Sequence, residues 1–555
     1  MKPIALAISL ALLAPLPVLA QTAPAAKSAT AKPATQAWVT RSNENAQLLL
    51  KAQGAFQPEF VSFFGVPGYD DKVADLGPDV SARYRAALTQ VKGEMQGKLA
   101  AEKDANVRQD LEIMIAAIDQ EIEGSQLNER YLLPWTDVPQ TVFGGINNLL
   151  SDQVPAERRA SALARLKNYV GLTPGSTAMT ELAKARYTER LADPKLLQPT
   201  RREVEQALAN VDTYIEGISQ LFGKYKIDGA DEALKAAATQ LKAYADWTRT
   251  QVLPKAREDT RLPPPLYAFQ LKQVGIDIDP KLLIQRAQLE FMETRSAMRQ
   301  LAPLVAKAKG LPEGLDYVEV IRALKGNKIA DDQLEHYYRG VIDQIDPIIR
   351  KQGIVDVPQR PMQMRLGSPA ESAAQPAPHF LPAPLIGNTG QQGQFVLPLG
   401  NPAADSAKNG KKDQYDDFNF GSAAWTLSAH EGRPGHELQF TAMVERGVSL
   451  ARSLFAFNSV NVEGWALYAE AEMVPYEPLD GQLIALQFRL LRAARAMLDP
   501  MLNLGLIDRE TARLVLEDQV GLSPAMARQE LDRYMVRAPG QAGSYFYGYT
   551  RILEL

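Results

Sequence analysis

Apolar residues recur at three- and four-residue steps through most of this chain, the spacing that places them along one side of an α-helix. Over 231–252 the apolar set is Leu234, Ala237, Leu241, Tyr244, Ala245 and Val252, joined by Thr248, while Lys235, Lys242, Asp246 and Arg249 fall on the other faces. Pro254 stops that run, because its ring removes a backbone donor and crowds the preceding turn. Similar patterns cover 81–101, 107–122, 156–170, 202–222, 280–301, 332–349, 482–502 and 509–518. Alternating strand patterns are scarce and no fixed-period repeat is present, so the spacing predicts a mainly α, multi-helix fold with a minor β element.

The pattern breaks over 354–417, where nine of the 37 prolines fall between Pro358 and Pro402. A long connection without helix is expected there, with Gln394-Phe395-Val396-Leu397-Pro398 as its one short strand, able to pair with an extended peptide by strand addition. Lys408, Lys411 and Lys412 read as a solvated loop tip, and Gly387, Gly390 and Gly393 lack the Gly-Lys-Ser/Thr context of a phosphate loop. The expected organisation is a signal peptide over 1–20, a flexible Ala/Pro-rich spacer over 21–36 and one helical domain over 37–555. That domain divides into a helical lobe (37–353), the Pro/Gly-rich region (354–417) and a lobe (418–555) carrying the chemistry. The signal reading rests on Lys2, the apolar run from Ile4 to Leu16 and small residues ending at Ala20. It predicts cleavage after Ala20 and a periplasmic or secreted product. No later stretch reaches the length of a membrane span, so none is expected in the mature chain.

Composition narrows the chemistry. The chain has 61 Lys and Arg against 65 Asp and Glu, a balance that argues against a nucleic-acid partner. It has no cysteine and four histidines, which excludes disulfides, thiolate metal sites and a cysteine nucleophile. No Gly-x-Ser-x-Gly elbow is present, nor paired Glu-x-x-His helices of a di-iron site. His336, on a polar helix, and His379, after Pro378, read as structural or exposed.

His430 and His436 lie six residues apart in Ser428-Ala429-His430-Glu431-Gly432-Arg433-Pro434-Gly435-His436-Glu437. On a regular helix six residues turn the two rings roughly 120° apart. Pro434 cannot bond the carbonyl of His430, and Gly432 and Gly435 weaken the helix further, so two residues can bulge out and bring His436 back toward His430. A metal site with Glu431 as adjoining base is one reading; a helix end followed by a turn, with both histidines capping or packing, is the other. A zinc site needs a third protein ligand. Glu463 and Glu470 share one face of a predicted second helix with apolar flanks, as a ligand and an acceptor for a histidine ring, or as an exposed helix edge.

The chain resembles the bacterial family catalogued as domain of unknown function 885, whose members look like gluzincin-type metallopeptidases. The resemblance rests on His430-Glu431-x-x-Pro434-Gly435-His436-x-x-Gln439, on Glu463-Gly464-Trp465-Ala466-Leu467-Tyr468-Ala469-Glu470, and on the tail from Arg533-Tyr534 through Pro539-Gly540-Gln541-Ala542 to Ser544-Tyr545. It implies a helical fold with a deep cleft, one Zn2+ held by His430, His436 and Glu463, Glu431 as general base, and a peptide or other small amide as substrate. This chain has Glu437 where members often carry a further histidine, and Pro500-Met501-Leu502 rather than Gly-x-His after Asp499. With no histidine beyond His436, either a tyrosine or arginine replaces the auxiliary histidine or activity is weak. Tyr545, in a loop shaped by Gly540, Gly543 and Gly548, is the first candidate, and Arg537 is a candidate for a substrate carboxylate. The competing reading is a non-catalytic or degenerate periplasmic helical binding protein of the same fold.

Overall fold

The computed structural model describes residues 36–398 and 416–555. The signal sequence with its cleavage point, nearly all of the spacer, and Lys408, Lys411 and Lys412 lie outside the described residues. The apolar stripes become helices, and polar caps set their ends. Thr200 and Glu203 form a reciprocal capping box at the start of Arg201–Lys224, and Asp279 with Pro280 opens Pro280–Ala308. These devices satisfy or omit the backbone donors that a first helical turn leaves without partners.

Some helices outrun the periodic reading: Ala105–Tyr131 continues nine residues past Ile122, and Pro280–Ala308 continues past Leu301 through Pro303, while Asp331–Gln352 contains Pro347 as its pattern had required. An interior proline costs a helix about 3 kcal/mol. Beyond Pro303 the burial of Val305 and Ala306 offsets it, since a fully buried aliphatic side chain contributes roughly 1.5–3 kcal/mol. In the other direction, 156–170 is two short helices, Ala156–Arg159 and Ala162–Tyr169, instead of one.

The largest apolar core runs from Phe291 to Ala542 and includes one side of Leu479–Asn503, which packs along Pro280–Ala308. A second core lies under Val138–Asn147, Arg201–Lys224 and Asp231–Trp247, and a third joins Ala37–Phe56, Val80–Ala101 and Ala105–Tyr131 to Leu450 and Ala451.

The Pro/Gly-rich segment is more structured than its composition suggests. It contains the helix Pro369–Ala374, closed by a Ser368–Glu371 capping box, and three short strands: β1 (Gln363–Leu366), β2 (His379–Leu381) and β3 (Gln394–Leu397). β3 is the predicted strand, but it is central, parallel to β1 and antiparallel to β2. Both of its edges are therefore occupied, which corrects the expectation that it receives a peptide by strand addition. Pairing to β3, with Met364 joining Phe395 and Leu397 in the main core, orders β1 and β2, whose local pattern carried no strand signal.

Candidate metal centre

The histidine motif leaves the α-helix where Pro434 and the glycines require it. The helix Gly421–Leu427 passes into a single π-helical turn, Ser428–Gly432, which carries His430 and Glu431. Arg433 is extended, and the N–H of Gly435 then reaches back to the carbonyl of Ala429 at 2.9 Å. That bond spans six residues instead of four, so two residues are extruded before His436 opens the next helix, His436–Glu445. Only glycine fits at 435: a Cβ there would lie 1.9 Å from the carbonyl oxygen of His430. The detour is pinned from outside by Trp465, whose indole N–H donates to the carbonyls of Pro434 (3.1 Å) and Gly435 (3.2 Å).

With the turn so placed, the two imidazoles meet at 4.9 Å between ring centres and nearly perpendicular. Oε2 of Glu463, from the helix Ser459–Met473, lies 3.4 Å from Nε2 of His430 and 3.5 Å from Nε2 of His436. Ligand atoms about 2.0–2.2 Å from a tetrahedral centre stand roughly 3.3–3.6 Å apart, so the Glu463 contacts have the edge lengths of a zinc site. Oε2 of Glu463 is buried and has no hydrogen-bond partner, an arrangement that is unfavourable unless a cation completes it. Oε1 of Glu431 lies 3.9 Å from Nε2 of His430. His430, Glu431 and His436 do form a compact potential ligand set, but the longer separation suits Glu431 to a neighbouring role and Glu463 to the third ligand.

The residues behind the two imidazoles select which ring nitrogen is left free. Nδ1 of His430 faces Oε1 of Glu470 at 2.6 Å. A proton held there leaves Nε2 as the free lone pair. Glu470 is itself held by Thr426 Oγ1 (2.9 Å) and Arg492 Nη2 (3.0 Å). Nδ1 of His436 faces Oε1 of Gln439 at 3.4 Å. Burial alone would depress His430, but Glu431, Glu463 and Glu470 around it push its pKa up to about 9. Burial pushes Glu431 above the usual carboxylate range, against the pull of the two imidazoles. Burial works the same way on Glu463, yet the imidazoles hold it well below that range.

Tyr545, on the helix Ser544–Leu553, stacks on His430 at 6.2 Å between ring centres. Its helix reaches this close because Gly464 and Gly548 cross with no side chain between them; a Cβ on Gly464 would meet the Gly548 backbone at 2.5 Å. Its hydroxyl accepts from Arg533 Nη2 at 2.8 Å, which leaves its own proton free to donate. Burial keeps that hydroxyl above its ordinary pKa even with Arg533 and Arg495 nearby. Arg537 is not brought to the cluster: it is exposed, with Nη2 on the carbonyl of Gln529 at 3.1 Å. Glu437 is a structural anion, bonded by Arg433 (2.8 and 3.2 Å) and Arg360 (3.0 Å). His336 is exposed, and His379 lies on β2 with Nδ1 against the carbonyl of Ala377 at 2.9 Å.

Some buried charges beside the cluster were given no role from the sequence. Arg492, Arg495 and Asp499 line one face of Leu479–Asn503 and are all buried. Their signal was present as charges at three- and four-residue steps on an otherwise apolar face. Arg495 forms a two-pronged pair with Glu530 (2.7 and 2.6 Å), which brings the Glu530 carboxyl down to about 2 despite its burial. Asp499 takes the N–H groups of Gly540 (2.9 Å) and Ala542 (3.3 Å), fixing the loop that leads to Tyr545.

A family model described as bacterial protein of unknown function, domain of unknown function 885, matches residues 58–555. The chain belongs to this family. Two solved structures share the fold of this domain of unknown function 885 protein. One is a candidate lipoprotein of unknown function from Shewanella oneidensis, 19% identical, covering 94% of this chain and 93% of its own, with a TM-score of 0.63. The other is a candidate lipoprotein from Colwellia psychrerythraea, also 19% identical, covering 92% of each chain, with a TM-score of 0.69. No curated protein matches the sequence. Among the described residues, no helix is long and apolar enough to cross a membrane.

Proposed function

We propose that this protein is an exported, zinc-dependent hydrolase that cleaves peptide or similar amide bonds, with one ion held by His430, His436 and Glu463. The observation that carries the reading is the partnerless, buried Oε2 of Glu463, set at tetrahedral edge distances from two imidazole nitrogens. A zinc ion there would polarise a substrate carbonyl and acidify water near neutral pH. Glu431, buried beside the ligands and with its pKa raised by that burial, takes a proton from the attacking water and delivers it to the leaving amine. Tyr545 donates its hydroxyl proton to the developing oxyanion, with Arg533 holding the phenol oxygen in place. Glu470 keeps His430 in the ligating tautomer. Export is supported by the apolar run from Ile4 to Leu16 and the small residues up to Ala20, and it accords with the description of both structural neighbours as candidate lipoproteins.

The test is elemental analysis of the purified protein together with hydrolysis of a peptide library by wild type and Glu431→Gln. About one zinc per chain is expected in both, with hydrolysis in the variant reduced by about 10²–10⁴-fold. Absence of tightly bound metal, or unchanged hydrolysis in Glu431→Gln, rejects the assignment. Stoichiometric metal with no hydrolysis of any peptide instead describes a binding protein of the same fold.

A further inference from the structure

In the arginine cluster behind Tyr545, two members have a carboxylate in direct contact and the third does not. Arg492 is matched by Glu470 at 3.0 Å and Arg495 by Glu530 at 2.6 Å. Arg533 makes no ion pair with any described carboxylate. Its Nε and Nη2 donate to the neutral Oε1 of Gln541 (2.9 and 2.5 Å), and Nη2 also donates to Tyr545. Withdrawing a guanidinium from water without an anion is costly, so a site of this kind suits a negatively charged ligand group.

Arg533 also faces open space. It lines a cleft of about 720 Å3 between the helices Arg201–Lys224 and Pro524–Asp532. The acids on that wall are already engaged. Asp532 is taken by Arg202 at 2.9 Å, while Asp137 and Glu203 accept the backbone N–H groups of Gln140 and Thr200. Glu205 lies 3.9 Å from Arg201. The cleft wall is tied to the helix that carries Glu463: Gln541, which lines it beside Arg533, donates to Ser459 Oγ at 2.9 Å, one turn before Glu463. The guanidinium is 5.1 Å from the centre of the Tyr545 ring, which is 6.2 Å from His430. Two residues at ~3.8 Å per Cα step, with a ~2.8 Å charged hydrogen bond at one end, reach about 10 Å, the scale of that separation, and a scissile carbonyl on the Tyr545 side of His430 needs less.

We infer that Arg533 binds a free substrate carboxylate one or two residues beyond the scissile amide, so that the enzyme takes short peptides or N-acyl amino acids from their C-terminal end. The inference rests on the hydrolase reading and names the substrate class of the same site. Arg533, half-buried at the start of its π-helical turn and bonded to Tyr545, takes the role that the sequence alone suggested for Arg537, which lines the same cleft.

The test compares N-acetyl-Phe-Ala with its C-terminal amide on the zinc-loaded full chain. Wild type should favour the acid by about 100-fold in kcat/KM, chiefly through KM, the scale of one charge-assisted hydrogen-bond pair. In Arg533→Gln the ratio should collapse to a few-fold, and Arg533→Lys should restore part of it. A second readout needs no turnover: calorimetric binding of N-acetyl-alanine and its amide to Glu431→Gln, with and without Arg533→Gln. Binding that prefers the acid and is lost with Arg533→Gln supports the inference even where no amide is cleaved, an outcome that removes only the hydrolase reading. Equal cleavage, or equal binding, of acid and amide by the unmodified Arg533 protein overturns the carboxylate site and leaves that reading standing. That acid-to-amide comparison requires no variant to fold.

Discussion

Glu470 offers a direct measure of how far the shell behind the ligands sets metal affinity. Oε1 accepts from His430 and Arg492, and Oε2 accepts from Thr426. In Glu470→Gln the amide oxygen can keep both donors on the first side, and the new NH2 can face the Thr426 hydroxyl, which also accepts. Shape and hydrogen-bond count survive while the negative charge behind the imidazole is lost. The expected cost is a 10–100-fold loss of zinc affinity, or about 1.4–2.7 kcal/mol. Glu470→Ala adds a second effect. It removes the carboxylate partner of Arg492, which is 4% exposed and whose Nε already lacks a partner, so a further destabilisation of about 3–5 kcal/mol is expected even without metal. Competition against a chromophoric zinc chelator measures the first quantity and chemical denaturation of the apoprotein the second. Thermal unfolding provides a cross-check. Zinc at a thousand times its Kd stabilises by about 4.1 kcal/mol. With an unfolding entropy of ~2.1 cal/mol/K per residue, a chain of this length should gain roughly 4 °C, and Glu470→Gln should forfeit a third to two thirds of that gain at the same free zinc. Zinc affinity within two-fold of wild type in Glu470→Gln would refute the reasoning, because the carboxylate would then not be orienting a ligand.

Three further outcomes follow from other parts of the structure. Tyr545→Phe should lower kcat by about 10²–10³-fold with little change in zinc content, as expected for loss of one oxyanion donor; equal kcat assigns that role elsewhere. Gly435→Ala should abolish zinc binding in equilibrium dialysis, because the new Cβ would sit 1.9 Å from the His430 carbonyl oxygen and force the extruded turn apart; retained stoichiometric zinc would show that the turn can yield. Glu477 is 5% exposed and both its carboxylate oxygens lack partners; burial, helped by Glu470, pushes it up to about 8 from 4.5. An acid whose folded pKa is raised binds more protons folded than unfolded, so its ionisation erodes stability as pH climbs from about 4.5 to 8, by up to roughly 5 kcal/mol. Glu477→Gln should therefore gain stability relative to wild type across that window in urea titrations at pH 5 and pH 8, and parallel pH profiles for the two proteins would contradict this.

How much was legible depended on whether the deciding forces were local. The helix stripes, their caps and the predominance of α-structure follow from three- and four-residue periodicity, and the structure carries them with shifts of a few residues at most ends. The departure from helix between Gly432 and Gly435 was also readable, since a missing N–H and two unhindered backbones act within one turn. Family membership could likewise be read from the motifs around His430, Glu463 and Tyr545. By contrast, the sheet at 363–397 was only one-third visible, because β1 and β2 are ordered by partners distant in sequence.

The sequence by itself determined the helical class and the local path of the backbone around His430 and His436, because steric limits and apolar spacing are properties of neighbouring residues. Tertiary structure alone decided that Oε2 of Glu463 stands at metal-edge distance from both imidazoles, that Tyr545 lies over His430, and that Arg533, not Arg537, is the guanidinium bonded to the Tyr545 hydroxyl. Those placements depend on the glycine crossing at Gly464 and Gly548 and on the Asp499 carboxylate holding the loop before Tyr545. Each is a contact between segments tens of residues apart, where the close approach of two helices and the pairing of buried charges outweigh any preference a single segment carries.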